Sequence, residues 1–433
     1  DTKGTPRKDV EKLVKYKTNN VFSRTAMSAI RDNVFRRLSD DGYALAKVDV
    51  VPNIHKDTHL VDVAITVDPV ERVYVRHINV AGNSRTKDDV IRREVRQMES
   101  ALYSAERVQA SRDRIDRLGY FSEVTVDTVP VEGVNNQVDV NYSLKEIPTG
   151  DLKLGLGYST SDKVSLSGSI NENNFMGTGN SLGLDIDTSS SSRNATITTR
   201  NPYMTKYGVS RDFSVYYRKY DASKLNISDV KYTTTGVNLS FGVPISENNK
   251  IFLGVNPERN KIALASTGEV PASYTQYTNG KNSFTTYALT AGWSHDTRDS
   301  GFSPSRGTLQ RVNLEVAPVG DINYYKASYQ FQKFVPVSKY FTLAFNTQFD
   351  YGRGYGGDAY PFFKNMFAGG IGSVRGFDSS SMGPTQTTSN GTVAYIGGSK
   401  RAVANLELQF PFPGMVKNRG VRLFAFADAG GLW

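Results

Sequence analysis

At 433 residues the chain is long enough for two to four domains and can bury a large core. Its mean hydropathy of -0.42, with no apolar run near the roughly 18 residues of a spanning helix, excludes transmembrane helices; it does not exclude a transmembrane barrel, whose alternating strands average to polar. The net charge of +9 is scattered, since residues 1–150 hold 24 Lys+Arg against 23 Asp+Glu and the excess lies along the remainder without a basic helix face. That distribution speaks against nucleic acid as a partner and for charge on inner loops or facing lipopolysaccharide. The absence of Cys excludes disulfide scaffolds and thiolate metal sites, while 24 Tyr and 22 Phe against 2 Trp, with 38 Gly, suit strands with aromatic girdles.

The start Asp1-Thr2-Lys3 is not a basic then apolar leader, so a secreted protein would be mature or truncated here. Residues 1–71 and 72–147 read as two similar α+β modules. In the first, Ser23 can cap a helix whose Met27, Ile30, Val34 and Leu38 form one stripe, ended by Gly42-Tyr43. In the second, Thr86 with Asp89 predicts a capping box for a short helix. A helix from Ser104 then places Val108, Ile115 and Leu118 on one face before Gly119-Tyr120. The two Gly-Tyr stops lie 77 residues apart, as do Val61-Asp62-Val63 and Val138-Asp139-Val140, each opening an alternating strand. This is an internal repeat. The second module opens with a strand over 73–80, whose counterpart would fall at or before residue 3, so the first module is expected to lack its opening strand. The order strand, helix, helix, strand, strand predicts a small mixed sheet with a helix pair on one face and at least one edge open to strand addition; a mere spacer is the competing reading.

From residue 148 to 433 the pattern becomes short alternating strands with no helical stripe. Leu152, Leu154, Leu156 and Tyr158 alternate with Lys153, Gly155 and Gly157, and Leu182, Leu184 and Ile186 or Val237, Leu239, Phe241 and Val243 repeat the pattern. With a short turn at 201–203 and a longer polar loop at 189–193, this matches a barrel facing lipid outside and water inside. About thirteen strands can be counted, the last over 421–429; bacterial single-chain barrels have an even number, so the chain is also expected to stop early. Near its end, about 40 residues of low periodicity carry Gly369-Gly370-Ile371-Gly372-Ser373-Val374-Arg375-Gly376-Phe377. Loops far longer than the usual 4–6 residues are functional or disordered. Ile371, Val374 and Phe377 around Arg375 suggest a tip packed inside something, although a surface loop with a chance arginine fits as well. In the strand over 402–410, Leu406, Leu408 and Phe410 share one face and put Glu407 on the lumen side with Asn405 and Gln409.

Modules, barrel and the Val374-Arg375-Gly376-Phe377 tip together make the whole chain resemble the BamA family of outer-membrane assembly factors. The module pair looks like POTRA domains, Asn174-Phe175-Met176-Gly177-Thr178-Gly179 resembles a periplasmic turn of that barrel, and Phe367-Ala368-Gly369-Gly370 leads into the signature loop of the wider insertase and translocase superfamily. The resemblance implies a fold of α+β POTRA modules followed by a transmembrane antiparallel β-barrel of sixteen strands, truncated here at both ends. It implies an insertase of the Gram-negative outer membrane, with POTRA modules in the periplasm receiving unfolded barrel precursors. Accessory lipoproteins, the bilayer and lipopolysaccharide would be further partners, with no cofactor and no enzymatic step. It further implies that Arg375 pairs with Glu407 and with Asp428, though Phe424 and Phe426 share the parity of Asp428 and leave its face open. A two-partner secretion transporter, with two POTRA domains and a plug helix, is the alternative; a passive porin would need neither modules nor an inserted arginine loop.

A machine that templates strands must open one seam of a closed barrel, and the first strand, with Leu152, Leu154, Gly155, Leu156 and Gly157, is where clients are expected to enter. Gly155 and Gly157 weaken that strand, unless they only relieve crowding in the lumen. Other chemistry is weakly signalled. Gly370-Ile371-Gly372 lacks the third glycine of a dinucleotide fingerprint. His55 and His59 have no third ligand. Gly301-Phe302-Ser303-Pro304-Ser305 lacks the closing glycine of a nucleophile elbow beside His295-Asp296. No catalytic residue and no metal site is expected.

Overall fold

The computed structural model describes residues 8, 11–14, 21–159, 163–222, 229–265, 270–300, 304–338, 340–388, 391–411 and 422–433. They divide into two units, Asp1–Thr149 with Asn174–Gly179, and Gly150–Asn173 with Asn180–Trp433.

In the first unit, helix α1 (Arg24–Asp40) starts where Ser23, in extended conformation, accepts the Ala26 N–H through its hydroxyl. Its stripe Met27, Ile30, Val34 and Leu38 is buried with Tyr43, Ala46 and Val48. The stripe covers the antiparallel hairpin of β1 (Lys47–His55) and β2 (Leu60–Asp68). The helix stops because Gly42 takes φ +95°, in a place where a Cβ would meet the Leu102 side chain. The first module's missing opening strand would involve residues 1–3, which lie outside the described residues.

The second module runs β3 (Tyr74–Ala81), α2 (Asp88–Arg92), α3 (Ala105–Asp116), β4 (Phe121–Pro130) and β5 (Gln137–Glu146). The sheet order is β3-β5-β4, with β3 parallel and β4 antiparallel to β5. Because β5 is central, its inward set Val138, Val140, Tyr142 and Leu144 is buried against Val108 and Ile115 of α3. Each fully buried valine contributes about 1.5–3 kcal/mol. Ser104 caps α3 by accepting the Arg107 N–H, and Gly119 ends the segment at φ +72°. The capping box at Thr86 does not form. The residue preceding α2 is Lys87 and makes no side-chain cap, because the Glu146 carboxylate takes the Arg85 and Thr86 N–H groups at 2.9 and 2.7 Å and the Ser84 hydroxyl at 2.8 Å. The Thr86 hydroxyl in turn accepts from Asn174 Nδ2 at 2.8 Å. One sheet edge is occupied by the chain itself: Val75 N–H donates to Ala101 O, Ser100 N–H to Val75 O and Ile78 N–H to Glu99 Oε1 along β3. Among the described residues no strand pairs with the outer side of β4.

The second unit is a thirteen-stranded antiparallel sheet, the number counted in the sequence. Its strands are β6 (Gly150–Ser159), β7 (Lys163–Glu172), β8 (Ser181–Thr188), β9 (Ser192–Asn201), β10 (Ser210–Asp221), β11 (Val230–Ser246), β12 (Asn249–Leu264), β13 (Ser283–Asp296), β14 (Gly307–Gly320), β15 (Tyr324–Pro336), β16 (Thr342–Gly354), then, beyond the small hairpin β17 (Thr385–Thr387) and β18 (Val393–Tyr395), β19 (Lys400–Pro411) and β20 (Arg422–Leu432). Each pairs with its chain neighbour, except that β16 pairs with β19 across the hairpin. Among the described residues β6 and β20 are the two edges. The period of two puts Leu152, Leu154, Leu156 and Tyr158 on one face of β6, at 66 to 82% exposure, the outward apolar face expected from the sequence.

Three details differ from expectation. The connection over 189–191 is short, with Arg193 already in β9, whereas 202–209 is the longer one; serines that close a tight hydroxyl-bonded turn resemble a polar loop in composition alone. A two-turn helix, α4 (Ala272–Thr278), sits between β12 and β13, too short to show an apolar stripe. The last strand continues to Leu432 rather than ending at residue 429, and Val421 lies outside the described residues.

Burial pulls the Glu146 carboxyl upward, but the N–H groups of Thr86 and Arg85 and the Ser84 hydroxyl outweigh it and bring the group from the usual 4.5 down to about 2. A group depressed in the folded state stabilises above its unfolded pKa and loses that contribution as pH falls through the folded one. Exchange protection of the Arg85 and Thr86 amides is therefore full above pH 4.5 and falls between pH 4.5 and about 2. Glu146→Gln removes that pH dependence; protection flat across the window in the parent chain would contradict the assignment.

Candidate functional site

The connection between β16 and β19 is shaped by glycines that cross its own return path. Gly369 and Gly370 take φ +110° and +90°, and a Cβ on either would run into the backbone or side chains of Asp378 and Ser379. The tip closes where Gly370 N–H donates to Val374 O at 3.1 Å and Gly369 N–H to Ser373 Oγ at 2.8 Å. Arg375 leaves this turn directed at β19 and β20.

Arg375 makes four charge-assisted hydrogen bonds. Its backbone N–H and Nε donate to Asp428 Oδ2 at 2.9 and 2.7 Å, Nη2 donates to Asp428 Oδ1 at 2.6 Å, and Nη1 to Glu407 Oε1 at 2.6 Å. The guanidinium lies 3.9 Å from the Phe426 ring centre and 5.4 Å from that of Phe424. Side-chain exposure is 13% for Arg375, 2% for Asp428 and 25% for Glu407, which puts the pair with Asp428 among buried ion pairs. A planar fork facing a carboxylate edge-on is the geometry in which Arg exceeds Lys. Around the ions, Asn405 Nδ2 donates to Ser373 O at 2.7 Å and to Asp428 Oδ1 at 3.0 Å, and Gln409 donates to Glu407 Oε2. The register of β19 and β20 sets Asn405 opposite Asp428 and Glu407 opposite Phe426.

The surroundings differ from the sequence picture. Val374 is buried, but Ile371 is 93% exposed and Phe377 53% exposed, so neither packs around Arg375. Val374 points at Gly430, where a Cβ would come 2.7 Å from its Cγ2. The aromatic enclosure comes from β20, where Phe424, Phe426 and Asp428 share one face under the guanidinium; Asp428 thus belongs to the side that accepts the loop. Arg401 carried no sequence signal. It faces Asp350 across β16 and β19, with its nitrogens 2.7 and 2.9 Å from Oδ2, and donates to Phe367 O at 3.1 Å, fixing the loop upstream of the tip.

Leu152, Leu154 and Leu156 lie on β6, the other edge in the strand order, and point away from the face of Gly155 and Gly157. Those glycines oppose Ser167 and Ser165, whose hydroxyls a Cβ would meet. Elsewhere, His55 Nε2 is 2.9 Å from Asp62 Oδ2, and His295 Nδ1 is 3.0 Å from Asn249 Oδ1. Residues 301–303 lie outside the described residues. Among the described residues no three His, Asp or Glu side chains gather as a metal site.

Residues 174–433 match the family model described as the Omp85 superfamily domain, and residues 2–70 and 73–147 each match POTRA, described as a surface antigen variable number repeat. The outer membrane protein assembly factor BamA of Neisseria meningitidis serogroup B is 35% identical over 446 residues, covering 100% of this chain and 56% of that relative. The factor of the same name from Nitratidesulfovibrio vulgaris is 27% identical, over 96% of this chain and 51% of the relative. The chain thus spans about half the length of the curated relatives it matches. The crystal structure of BamA from Haemophilus ducreyi lacking POTRA domains 1–3 aligns with a TM-score of 0.77 at 30% identity, covering 98% of this chain and 84% of that one.

Removing Arg375 leaves Asp428 buried without its cation, and breaking a buried pair from one side costs about 3–5 kcal/mol. Arg375→Ala therefore lowers the unfolding midpoint of the sheet in detergent, and Arg375→Ala with Asp428→Asn loses less than the sum of the two singles. An unchanged midpoint for Arg375→Ala would place the pair with exposed ones, worth at most about 1 kcal/mol.

Proposed function

The chain belongs to the Omp85 superfamily, and from that membership we propose that it is the membrane-embedded part of an outer-membrane insertase, with its POTRA modules on the periplasmic side. The observation that carries the proposal is the coupling of two parts in one chain. Repeats with a free strand edge precede a lipid-facing sheet whose long loop is ionically held on β19 and β20. The first part offers main-chain donors and acceptors to any extended client; the second offers a wall into which new strands can be added. Unfolded barrel precursors are the substrates, and neither step needs a nucleotide, a metal or a covalent intermediate. The matched relatives are named as assembly factors, which favours this reading over a two-partner secretion transporter. Accessory lipoproteins and lipopolysaccharide are further partners of the proposed assembly.

We place the entry point at β6. Its Gly155 and Gly157 supply no cross-strand side-chain contact, so pairing along this edge relies on backbone hydrogen bonds, which any sequence can satisfy. Arg375 with Glu407 and Asp428 holds the loop against β19 and β20.

In the modules, the free outer side of β4 is where clients are expected to pair. Hydrogen exchange in the presence of an unfolded barrel precursor should slow at β4 amides; slowing confined to α1 and α3 would contradict strand addition. For the wall, two cysteines joining β6 to the last strand of the full-length protein should block client insertion in vesicles, with reductant restoring it. Normal insertion with that seam demonstrably locked would leave the sheet as an anchor for the modules.

A further inference from the structure

The loop that carries Arg375 is held by a second ionic contact eleven residues earlier. At Phe362–Lys364 the chain makes one 3-10 turn after Pro361, and its aromatic pair is seated firmly. Phe362 stacks on Tyr274 of α4 with ring centres 4.1 Å apart, and Phe363 lies 5.8 Å from Phe284. This seating directs Lys364 across the sheet. Its Nζ is 2.6 Å from Glu258 Oε1 on β12 and 3.5 Å from Glu315 Oε1 on β14. Glu258 is 4% exposed and is completed by Asn260 Nδ2 at 2.7 Å and the Tyr216 hydroxyl at 3.2 Å; Glu315 accepts the Tyr324 hydroxyl. Two carboxylates on strands separated by β13 thus converge on one loop ammonium.

Between this contact and the tip the chain has little slack. Met366 exchanges two backbone hydrogen bonds with Gly398, Asn365 Nδ2 donates to Ile396 O, and Arg401 holds Phe367 O. The position of Lys364 is therefore passed along a braced segment to Arg375. The two contacts stand on different strands, β12 and β14 for Lys364 and β19 and β20 for Arg375.

We propose that Lys364 is a positioning residue for the loop tip: its ion pairs with Glu258 and Glu315 set where Arg375 meets β19 and β20. A movement of β19 and β20 must then lift one contact or carry the loop against the other. The proposal rests on the reading of the Arg375 site as functional, but its test reads tip position and not insertion. A protein that failed to insert clients while its tip responded as described would count against that reading alone.

The chain contains no Cys, so a pair of introduced thiols reports cleanly. Ile371 and Gln332 line one cavity of about 240 Å³ beside the tip, and Ile371→Cys with Gln332→Cys can be bridged by a short bis-maleimide in the full-length protein. Two backgrounds are compared, Lys364→Met and the neutral triple Lys364→Met, Glu258→Gln, Glu315→Gln. The triple removes the unpaired carboxylates, and replacing a whole buried ionic cluster is often neutral for stability. A merely structural lysine would be fully replaced in the triple. The proposal expects the triple to recover its thermal midpoint while bridging stays slower by about tenfold, as for a tip displaced from its site in most molecules. Bridging at the parent rate in the triple, or in Lys364→Met should that variant fold, would overturn it.

Discussion

The structure depends most on one buried carboxylate. Asp428 is 2% exposed at its side chain, and a carboxylate in that position is costly unless a cation and several donors meet it. The donors come almost entirely from a loop that begins two strands earlier: three from Arg375 and one from Asn405 of the neighbouring strand. The strand end and the loop tip are therefore each incomplete without the other. Phe424 and Phe426, on the same face, remove water from one side of the guanidinium and add the attraction of their ring faces.

From this constraint the choice of residues along the loop follows. A chain of that length loses much entropy on ordering, and its own contacts must offset this. Glycines at 369 and 370 allow it to fold back on 378–379, and Gly430 on β20 leaves the space that Val374 fills. Arg401 and Lys364 then fix the backbone upstream of the tip. Both use carboxylates on strands, so the face of the sheet that receives the loop carries acidic side chains on β12, β14 and β16. In the modules the logic is different. In the second, the inward faces of β5 and α3 make a closed apolar core, the edge of β3 is filled by residues 99–103, and among the described residues no strand pairs with the outer side of β4.

Much of this was legible from periodicity. The stripe of α1, the Ser104 cap and the alternating faces of β5, β6 and β19 are local patterns, each decided by residues within a few positions of one another. Strand parity alone also grouped Glu407 with Asn405 and Gln409, on the face that meets Arg375. Parity failed at Asp428 because an arginine turns an aromatic face into an acceptable polar environment, so Phe424 and Phe426 could not be assigned to lipid or lumen without the loop. The capping box at Thr86 failed for a similar reason, since Glu146, sixty residues away in sequence, took the amides first. Lys364 was invisible because its partners come from β12 and β14, and no local pattern records that convergence. Ile371 and Phe377 misled in the other direction, as large apolar residues beside a charged one that remain exposed.

The central claim is that Arg375 secures β19 and β20, and amide exchange of these two strands tests it most directly. In the full-length protein held in a bilayer, Arg375→Met should raise exchange over 405–408 and 426–429, while β10 to β13, to which Arg375 makes no hydrogen bond among the described residues, keep their protection. Unchanged exchange on β19 and β20, with the loop arginine gone, would contradict the account.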